Sequence, residues 1–344
     1  MTATTIRTLE SLRLHLQGAI KLEHSTIPPY FCALYSIKAR SNAESASVIK
    51  SVLVEEMLHI VLAANVLNAI GGAPEIDDPE FLARYPTPLP FSDKSFNVPL
   101  ARFSPSTIEI FRRIEKPEEG DAPPEADGFE TIGQFYRAIE EGLEYLGSTL
   151  GEDQVFTGEP DRQITADMLG GVTAERIVAV YDLKSALGAI DEIEEQGEGL
   201  KHAEVWDGEC DMYHPEREEV AHYFRFTEIV SARSYRQGDT PQSGPSGEPF
   251  EVDWEAVYPM RDNPRTEDYE EGSPIRIKME AFNLVYSDLI RALHLTLNGE
   301  TEMLDEAFSG MFRIRELALQ LMQMPSGDGE TTAGPSFEYV APTE

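Results

Sequence analysis

The chain has 344 residues and a formal net charge of −34 at pH 7, from 62 acidic and 28 basic side chains. This balance argues against nucleic acid as a partner, because phosphate binding needs a basic stripe. No apolar run is long enough to span a membrane, and the N-terminus lacks a signal-peptide pattern, so we expect a cytoplasmic protein. Two cysteines, Cys32 and Cys210, are too few for a disulfide framework.

The first predicted helix, residues 5–40, carries one acidic residue on its apolar stripe. Apolar side chains recur at helical spacing along the segment, and Glu23 lies on the same line. His24 follows at about 100° around the helix, which places it beside the stripe. Pro28 and Pro29 remove two backbone donors and predict a kink shortly after Glu23.

The second predicted helix, residues 44–71, is apolar on almost every side. Glu56 and His59 are three residues apart and therefore project from one face, on a stripe of apolar residues. A buried ionised carboxylate without a partner is strongly disfavoured, so the interior has to supply a cation. A carboxylate and an imidazole that project together from a bundle helix are suited to a metal ion.

Two accessory helices are predicted next, over residues 104–114 and 130–150, after a long crossover rich in proline and aromatic residues. The acidic, proline-containing connection between them, residues 115–129, is expected to be exposed and mobile. Glu140 and Glu141 lie on the second accessory helix, which we interpret as packing scaffold.

The third bundle helix is predicted over residues 173–197 and ends in a cluster of acidic side chains. Periodicity extends its apolar stripe to Glu194, with Glu195 beside it, and spacing does not choose between the two. Carboxylates at a helix C-terminus oppose the helix dipole, so some of them need a local cation or metal partner.

The fourth bundle helix, predicted over residues 214–236, repeats the Glu-x-x-His spacing in Glu219 and His222. Together with Glu23, the two copies form the ligand set of a two-metal site inside a helix bundle. Two further amphipathic helices are predicted over residues 274–297 and 301–324, and residues 326–344 are expected to be a disordered tail.

Five stretches carry a family resemblance: Leu22–Ile37, Glu55–His59 with Gly71–Pro74, Thr131–Tyr136, Glu195–Gly199 and His222–Ile229. Together they resemble the ferritin-like domain of the iminophenyl-pyruvate dimer synthase family, whose members occur in bisindole natural-product pathways. The pathway enzymes that name this family are much longer than this chain, so the substrate of the namesake reaction is not carried over.

The resemblance implies an all-α fold: a ferritin-like four-helix bundle with long crossover insertions and two additional C-terminal helices. The long periodic helices predict one elaborated domain over residues 1–325. By the resemblance, Glu23, Glu56 and His59 form one half-site, and the other consists of Glu195, Glu219 and His222. The resemblance favours Glu195 over Glu194 and leaves Glu198, in the same stretch, open.

The leading hypothesis is a non-haem di-metal carboxylate protein with two irons per chain, manganese being the other metal considered. It would use dioxygen to oxidise a small organic substrate in secondary metabolism. Tyr30 and His24 are the candidates to pass protons or tune a ligand. The rival hypothesis is a ferroxidase or iron-storage protein without an organic substrate, and a homo-oligomer is compatible with either.

Overall fold

Long helices make up most of the chain in the computed structural model, which describes residues 5–117, 129–169, 176–198, 204–211 and 217–342. The α-helices in these residues are α1 Leu9–Ser36, α2 Ala43–Ala69, α3 Pro105–Ile114, α4 Ile132–Leu150, α5 Glu152–Val155, α6 Leu183–Glu198, α7 His222–Ser231, α8 Pro274–Leu297 and α9 Leu304–Leu321. Two short strands, β1 Trp206–Cys210 and β2 Glu218–Val220, pair antiparallel.

Helix α1 runs without interruption through its two prolines. Pro29 has no N–H, so the carbonyl of Ser25 one turn earlier loses its helical donor. The Tyr85 hydroxyl, from the crossover after α2, donates to this carbonyl at 2.7 Å. A tertiary contact therefore satisfies the group that the proline leaves unpaired. The kink expected at Pro28 and Pro29 stays a prediction.

Helix α2 is buried along nearly its whole length because other elements cover it on several sides. It makes its most extensive contact with α1 and also packs against α6 and α7. Two buried asparagines tie loops to it: Asn65 donates to the carbonyl of Val178 at 3.0 Å, and Asn68 donates to that of Leu297 at 2.7 Å. The hydrogen bonds of these two asparagines attach the inserted segments to the bundle.

The third and fourth bundle helices are shorter than predicted. Helix α6 begins at Leu183 rather than near residue 173, since the backbone around Val178 is engaged by Asn65 instead of by a helix. Helix α7 begins at His222. The residues just before it, Glu218–Val220, form β2 with β1 as partner, so the helix predicted from residue 214 is corrected.

The C-terminal segment is packed, and the disordered tail predicted from residue 326 is corrected. Phe337 is 3% exposed, and its ring lies 5.5 Å from that of Phe31 and 5.0 Å from those of Phe282 and Tyr286. This aromatic cluster buries enough apolar surface to hold an extended segment against α1 and α8. Residues 343–344 lie outside the described residues.

The remaining helices surround the bundle. Helix α3 packs on α7, α4 packs on α6 and α1, and α8 and α9 form a helical pair that contacts α2 and α1. The expectation of an all-α chain is confirmed, apart from the two short strands. None of the described helices has the length and apolarity that crossing a bilayer requires.

Candidate metal centre

A first cluster of ligand atoms joins α1 and α2. The side chains of Glu23, Glu56 and His59 are buried, and each offers a ligand atom within 4.8 Å of the others. His59 Nδ1 lies 3.4 Å from Glu23 Oε2 and 3.7 Å from Glu56 Oε1. The three residues that the resemblance groups as one half-site therefore lie together in the structure.

A second cluster shares Glu56 and adds His222 and Glu115. His222 Nδ1 lies 3.2 Å from Glu56 Oε1 and 3.5 Å from Glu115 Oε2. His222 is the first residue of α7, and Glu115 caps the C-terminus of α3. The two imidazole rings are stacked, with centroids 5.6 Å apart, so the clusters are neighbours on either side of Glu56.

Glu115 is the residue that sequence reasoning missed. We assigned it to the mobile acidic connection, but it is buried, and residues 118–128 of that connection lie outside the described residues. A signal was present: Ile108, Phe111 and Glu115 follow helical spacing, and both apolar members are fully buried. Glu115 is thus the single acid on an apolar stripe, as Glu23 is on α1.

Two predicted ligands lie outside both clusters. Glu195 is half-buried on α6 and belongs to neither group of ligand atoms. Glu219 lies on β2, where its carboxylate binds the guanidinium groups of Arg176 and Arg225. Because Glu219 is in a strand and His222 opens the next helix, they do not share a helical face, which corrects the second Glu-x-x-His reading.

The alternatives to Glu195 have different surroundings. Glu194 is buried and lines a small cavity that also touches Glu115 and Tyr136. Glu140, which we assigned to packing, approaches Asp191 and Glu194 in an acidic group between α4 and α6. The side chain of Glu198 lies outside the described residues.

Both histidines present Nδ1 to the clusters because Nε2 is engaged elsewhere. His59 Nε2 lies 2.9 Å from Gln196 Oε1, and His222 Nε2 lies 2.9 Å from Glu55 Oε2. Each of these oxygens accepts a hydrogen bond from Nε2–H, so Nδ1 is the ring nitrogen that each histidine directs at the clusters. Both imidazoles are therefore arranged as ligands.

Hydroxyl groups bind all three carboxylates of the clusters. Tyr30 donates to Glu115 and Tyr136 donates to Glu23. Thr26 donates to Glu56 Oε2 at 2.6 Å. These bonds leave the other oxygens of the carboxylates directed at the histidines.

His24, a predicted catalytic residue, faces away from the clusters. Its Nε2 lies 2.8 Å from the Tyr286 hydroxyl, and its ring packs 4.9 Å from Phe81. Burial, reinforced by the charge of Lys21, lowers the pKa of His24 to about 4, so the ring is neutral at pH 7. Of the two catalytic candidates, Tyr30 alone contacts a clustered carboxylate.

The electrostatics of the clusters suit a cation. Burial, followed by the negative charges of Glu115 and Glu23, raises the pKa of Glu56 to about 8. Burial lowers the pKa of His222, but the carboxylates of Glu115, Glu55 and Glu56 outweigh it and raise the pKa well above its usual value. Without a metal, protonation of Glu56 and His222 reduces the repulsion between the clustered carboxylates. A metal ion would bind these side chains in their deprotonated forms and would release the protons.

The donor set fits hard divalent metal ions. Three carboxylates and two imidazoles converge, and His222 Nδ1 has no hydrogen-bond partner of its own. Oxygen-rich sites with imidazole suit iron and manganese, and the absence of thiolate ligands makes a zinc–sulfur site unsuitable. A divalent ion in each cluster would replace the shared protons.

A buried ion network lies behind His222. Glu55 accepts from Arg176 at 2.8 Å and from Arg225 at 2.6 Å, and Arg225 also reaches Asp207 and Glu219 at 3.2 Å. Burial raises the pKa of Glu55, but the charges of Arg225, His222 and Arg176 outweigh it and lower the pKa overall. Glu55 is therefore ionised where it meets His222.

Two cavities in the described part of the chain bear on access. One, of about 20 Å³, touches Glu115 and Tyr136 and has room for about one water molecule. The other, of about 800 Å³, lies on the outer side of the ion network, with Ser51, Glu219 and Arg225 in its wall. Of these two cavities, the small one reaches a clustered carboxylate, that of Glu115.

The fold and the clusters define a class of protein: a helical bundle whose interior holds two carboxylate–imidazole groups with one shared glutamate. A family model described as Ferritin-like matches residues 16–231, more than half of the chain, and the chain belongs to this family. The predicted ferritin-like fold is thereby confirmed.

The comparisons also include one curated relative and one solved structure. Dichlorochromopyrrolate synthase from Lentzea aerocolonigenes is 26% identical over an alignment that covers 83% of this chain and 29% of the relative, so this chain spans less than a third of that protein. This match agrees with the family resemblance predicted from the sequence. The crystal structure of a ferritin-like protein from Caulobacter vibrioides covers 97% of this chain and 99% of its own, with a TM-score of 0.65 and 22% identity, which shows a shared fold.

Proposed function

We propose that this protein is a non-haem di-metal oxidase or oxygenase that holds two iron ions and oxidises a small organic molecule with dioxygen. The observation that carries the proposal is the shared position of Glu56, which contributes a ligand atom to both clusters. A glutamate between two imidazole-bearing clusters is the arrangement expected of a di-metal carboxylate site in a helix bundle.

The proposed ligands of one metal are Glu23, Glu56 and His59, and those of the other are Glu56, Glu115 and His222. Three carboxylates offset most of the charge of two divalent ions. Ferrous ions held by these residues would supply electrons for the reduction of dioxygen. Among the described residues, the two clusters contain five ligand side chains, which would leave positions for small molecules on two metal ions.

The protein surroundings control protons and water at this centre. The hydroxyls of Tyr30 and Tyr136 hold their protons against Glu115 and Glu23, and burial, with the nearby carboxylates, raises the pKa of both tyrosines well above its ordinary value. They are therefore donors at neutral pH and orient the carboxylates. The small cavity beside Glu115 admits molecules of the size of dioxygen or water.

The larger cavity has a volume that suits an organic substrate, but its wall contains Glu219 and Arg225 of the ion network and none of the clustered residues. Its volume of about 800 Å³ lies within the usual range of ligand pockets. Trp206, Tyr235 and Phe250 offer apolar surface, while Arg217 and Glu228 offer charge. The synthase name of the Lentzea relative supports a small-molecule substrate.

A ferroxidase or iron-binding function is the second candidate. It is favoured by the size of the cavity at Glu115, which has no room for an organic molecule among the residues described. In that case the irons themselves are oxidised and no organic product forms.

Reconstitution with ferrous iron separates these possibilities. The purified protein, loaded under argon, is expected to bind two irons per chain and to change its absorption spectrum when oxygen is admitted. A protein that binds no iron, or whose spectrum does not respond to oxygen, would contradict the proposed centre. Retention of many ferric ions per chain after repeated additions would favour the iron-binding alternative.

A pair of glutamine variants tests the ligand assignment. Glu115→Gln is expected to weaken metal binding at one half-site by about 100-fold, because a clustered carboxylate is lost. Glu195→Gln is the matched control and is expected to retain both metals, since Glu195 is in neither cluster. Metal content after dialysis measures both, and loss of metal from the Glu195 variant alone would restore the assignment made from sequence.

A further inference from the structure

The two histidines of the proposed centre differ in the hydrogen-bond partner of Nε2, the ring nitrogen that points away from the clusters. His59 Nε2 donates to the neutral side-chain amide of Gln196, whose own NH₂ group donates to Glu192. His222 Nε2 donates to the carboxylate of Glu55. The two bonds have the same length, 2.9 Å, so the difference is one of charge rather than of distance.

The ligand sets of the two clusters are closely matched. Each cluster contains one imidazole, the shared Glu56 and one glutamate that belongs to that cluster only. This unshared glutamate accepts a hydrogen bond from a buried tyrosine: Glu23 from Tyr136 and Glu115 from Tyr30. The partner of the histidine is therefore the clearest chemical asymmetry between the half-sites.

Glu55 is held as a carboxylate by two fixed cations. Arg176 Nη1 binds one oxygen at 2.8 Å and Arg225 Nη1 binds the other at 2.6 Å, and all three side chains are buried. Four acidic side chains lie against the two guanidinium groups and offset their charge: Glu55, Asp207, Glu209 and Glu219.

A carboxylate behind a ligating imidazole makes the imidazole a stronger donor than an amide does, and it fixes the ring orientation. We infer that the two half-sites are unequal: the one that contains His222 binds a divalent metal first and more tightly, and Glu55 is the positioning residue that sets this order. This inference rests on the proposed di-metal function.

The test uses Mn²⁺ alone, which avoids oxygen chemistry. Crystals of the metal-free protein are soaked with one equivalent of Mn²⁺, and anomalous scattering gives the occupancy of each half-site. The wild-type protein is expected to show Mn²⁺ mainly beside His222 and Glu115. An EPR titration of free Mn²⁺ is expected to show two binding steps.

Glu55→Gln tests the cause because glutamine keeps the shape of the side chain and gives His222 the same kind of partner that His59 has. The tighter binding step is expected to weaken by about 10- to 100-fold, so that the two occupancies become equal or reverse. Glu219→Gln is the matched control. It disturbs the same two arginines without touching His222 and is expected to keep the wild-type order.

The outcomes are separable. Equal occupancies in the wild-type protein, or Mn²⁺ mainly beside His59, would overturn the inference, and this measurement does not depend on the folding of any variant. An unchanged order in Glu55→Gln would remove Glu55 as its cause. Absence of Mn²⁺ from both half-sites would instead overturn the proposed function on which the inference rests.

Discussion

Replacement of Glu56 by glutamine is expected to remove both metal ions from the protein. Among the residues that the structure describes, Glu56 alone belongs to both clusters, so its loss takes a ligand from each metal at once. The amide still accepts the hydrogen bond from Thr26, which keeps the local packing. Metal content should fall from two ions per chain to nearly none, an affinity loss of at least about 100-fold at each half-site.

The same substitution is expected to stabilise the metal-free protein above pH 4.5. The pKa of Glu56 rises from 4.5 to about 8 on folding, so between these values the folded chain holds a proton that the unfolded chain releases. The stability contributed by this proton is fully present below pH 4.5 and is lost as the pH rises to about 8. Glutamine does not titrate and avoids this loss.

Denaturation of the metal-free wild type and of the metal-free Glu56→Gln variant at several pH values measures this difference in stability. The free energy of unfolding of Glu56→Gln minus that of the wild type should grow between pH 5 and about 8 and then level off. A variant that keeps two metals, or a difference that does not change with pH, would show that Glu56 is not the shared carboxylate described here. Glu195→Gln serves as the control for metal content.

Arg225→Met is expected to be the most destabilising single substitution in the ion network. Arg225 binds Glu55, Asp207 and Glu219 in the interior, and removal of one partner leaves uncompensated buried charge. The free energy of unfolding should fall by about 3–5 kcal/mol. Methionine retains an unbranched apolar side chain, so lost packing contributes little to the change.

Arg313→Met is the matched control for that experiment. Arg313 pairs with Glu306 at the surface, where both side chains are about half exposed, and such pairs contribute roughly 0–1 kcal/mol. Denaturation of the metal-free proteins compares the two variants. Similar small losses for Arg225 and Arg313 would show that the buried network is not paired as described.

The residues of the first half-site were predictable because their signals are local. Glu56 and His59 share one helix face by spacing, and Glu23 is the single acid on the stripe of α1. An apolar stripe fixes which side of a helix is buried, so it also fixes the direction of any polar residue on that stripe. The pattern predicts that each of the three side chains faces the interior, and the family resemblance groups them as one half-site, as they are in the structure.

The second half-site was predicted only in part because its geometry depends on pairing between distant segments. His222 was identified, but its companion was assigned to Glu219, since the spacing was read as helical. Pairing of β1 with β2 places Glu219 in a strand and delivers it to Arg176 and Arg225. The sequence pattern around residue 219 does not report the pairing of Glu218 with Cys210 and of Val220 with Trp206.

The sequence by itself determined the helical class, the buried stripes and four of the five clustered residues, Glu23, Glu56, His59 and His222, because helix periodicity and burial are properties of neighbouring residues. The tertiary structure alone decided that Glu115 rather than Glu195 or Glu219 joins His222, and that Glu55 stands behind that histidine. These choices depend on how α2, α3 and α7 pack. A buried charged side chain has to be paired, and the packing of the helices determines which partner lies within hydrogen-bonding distance.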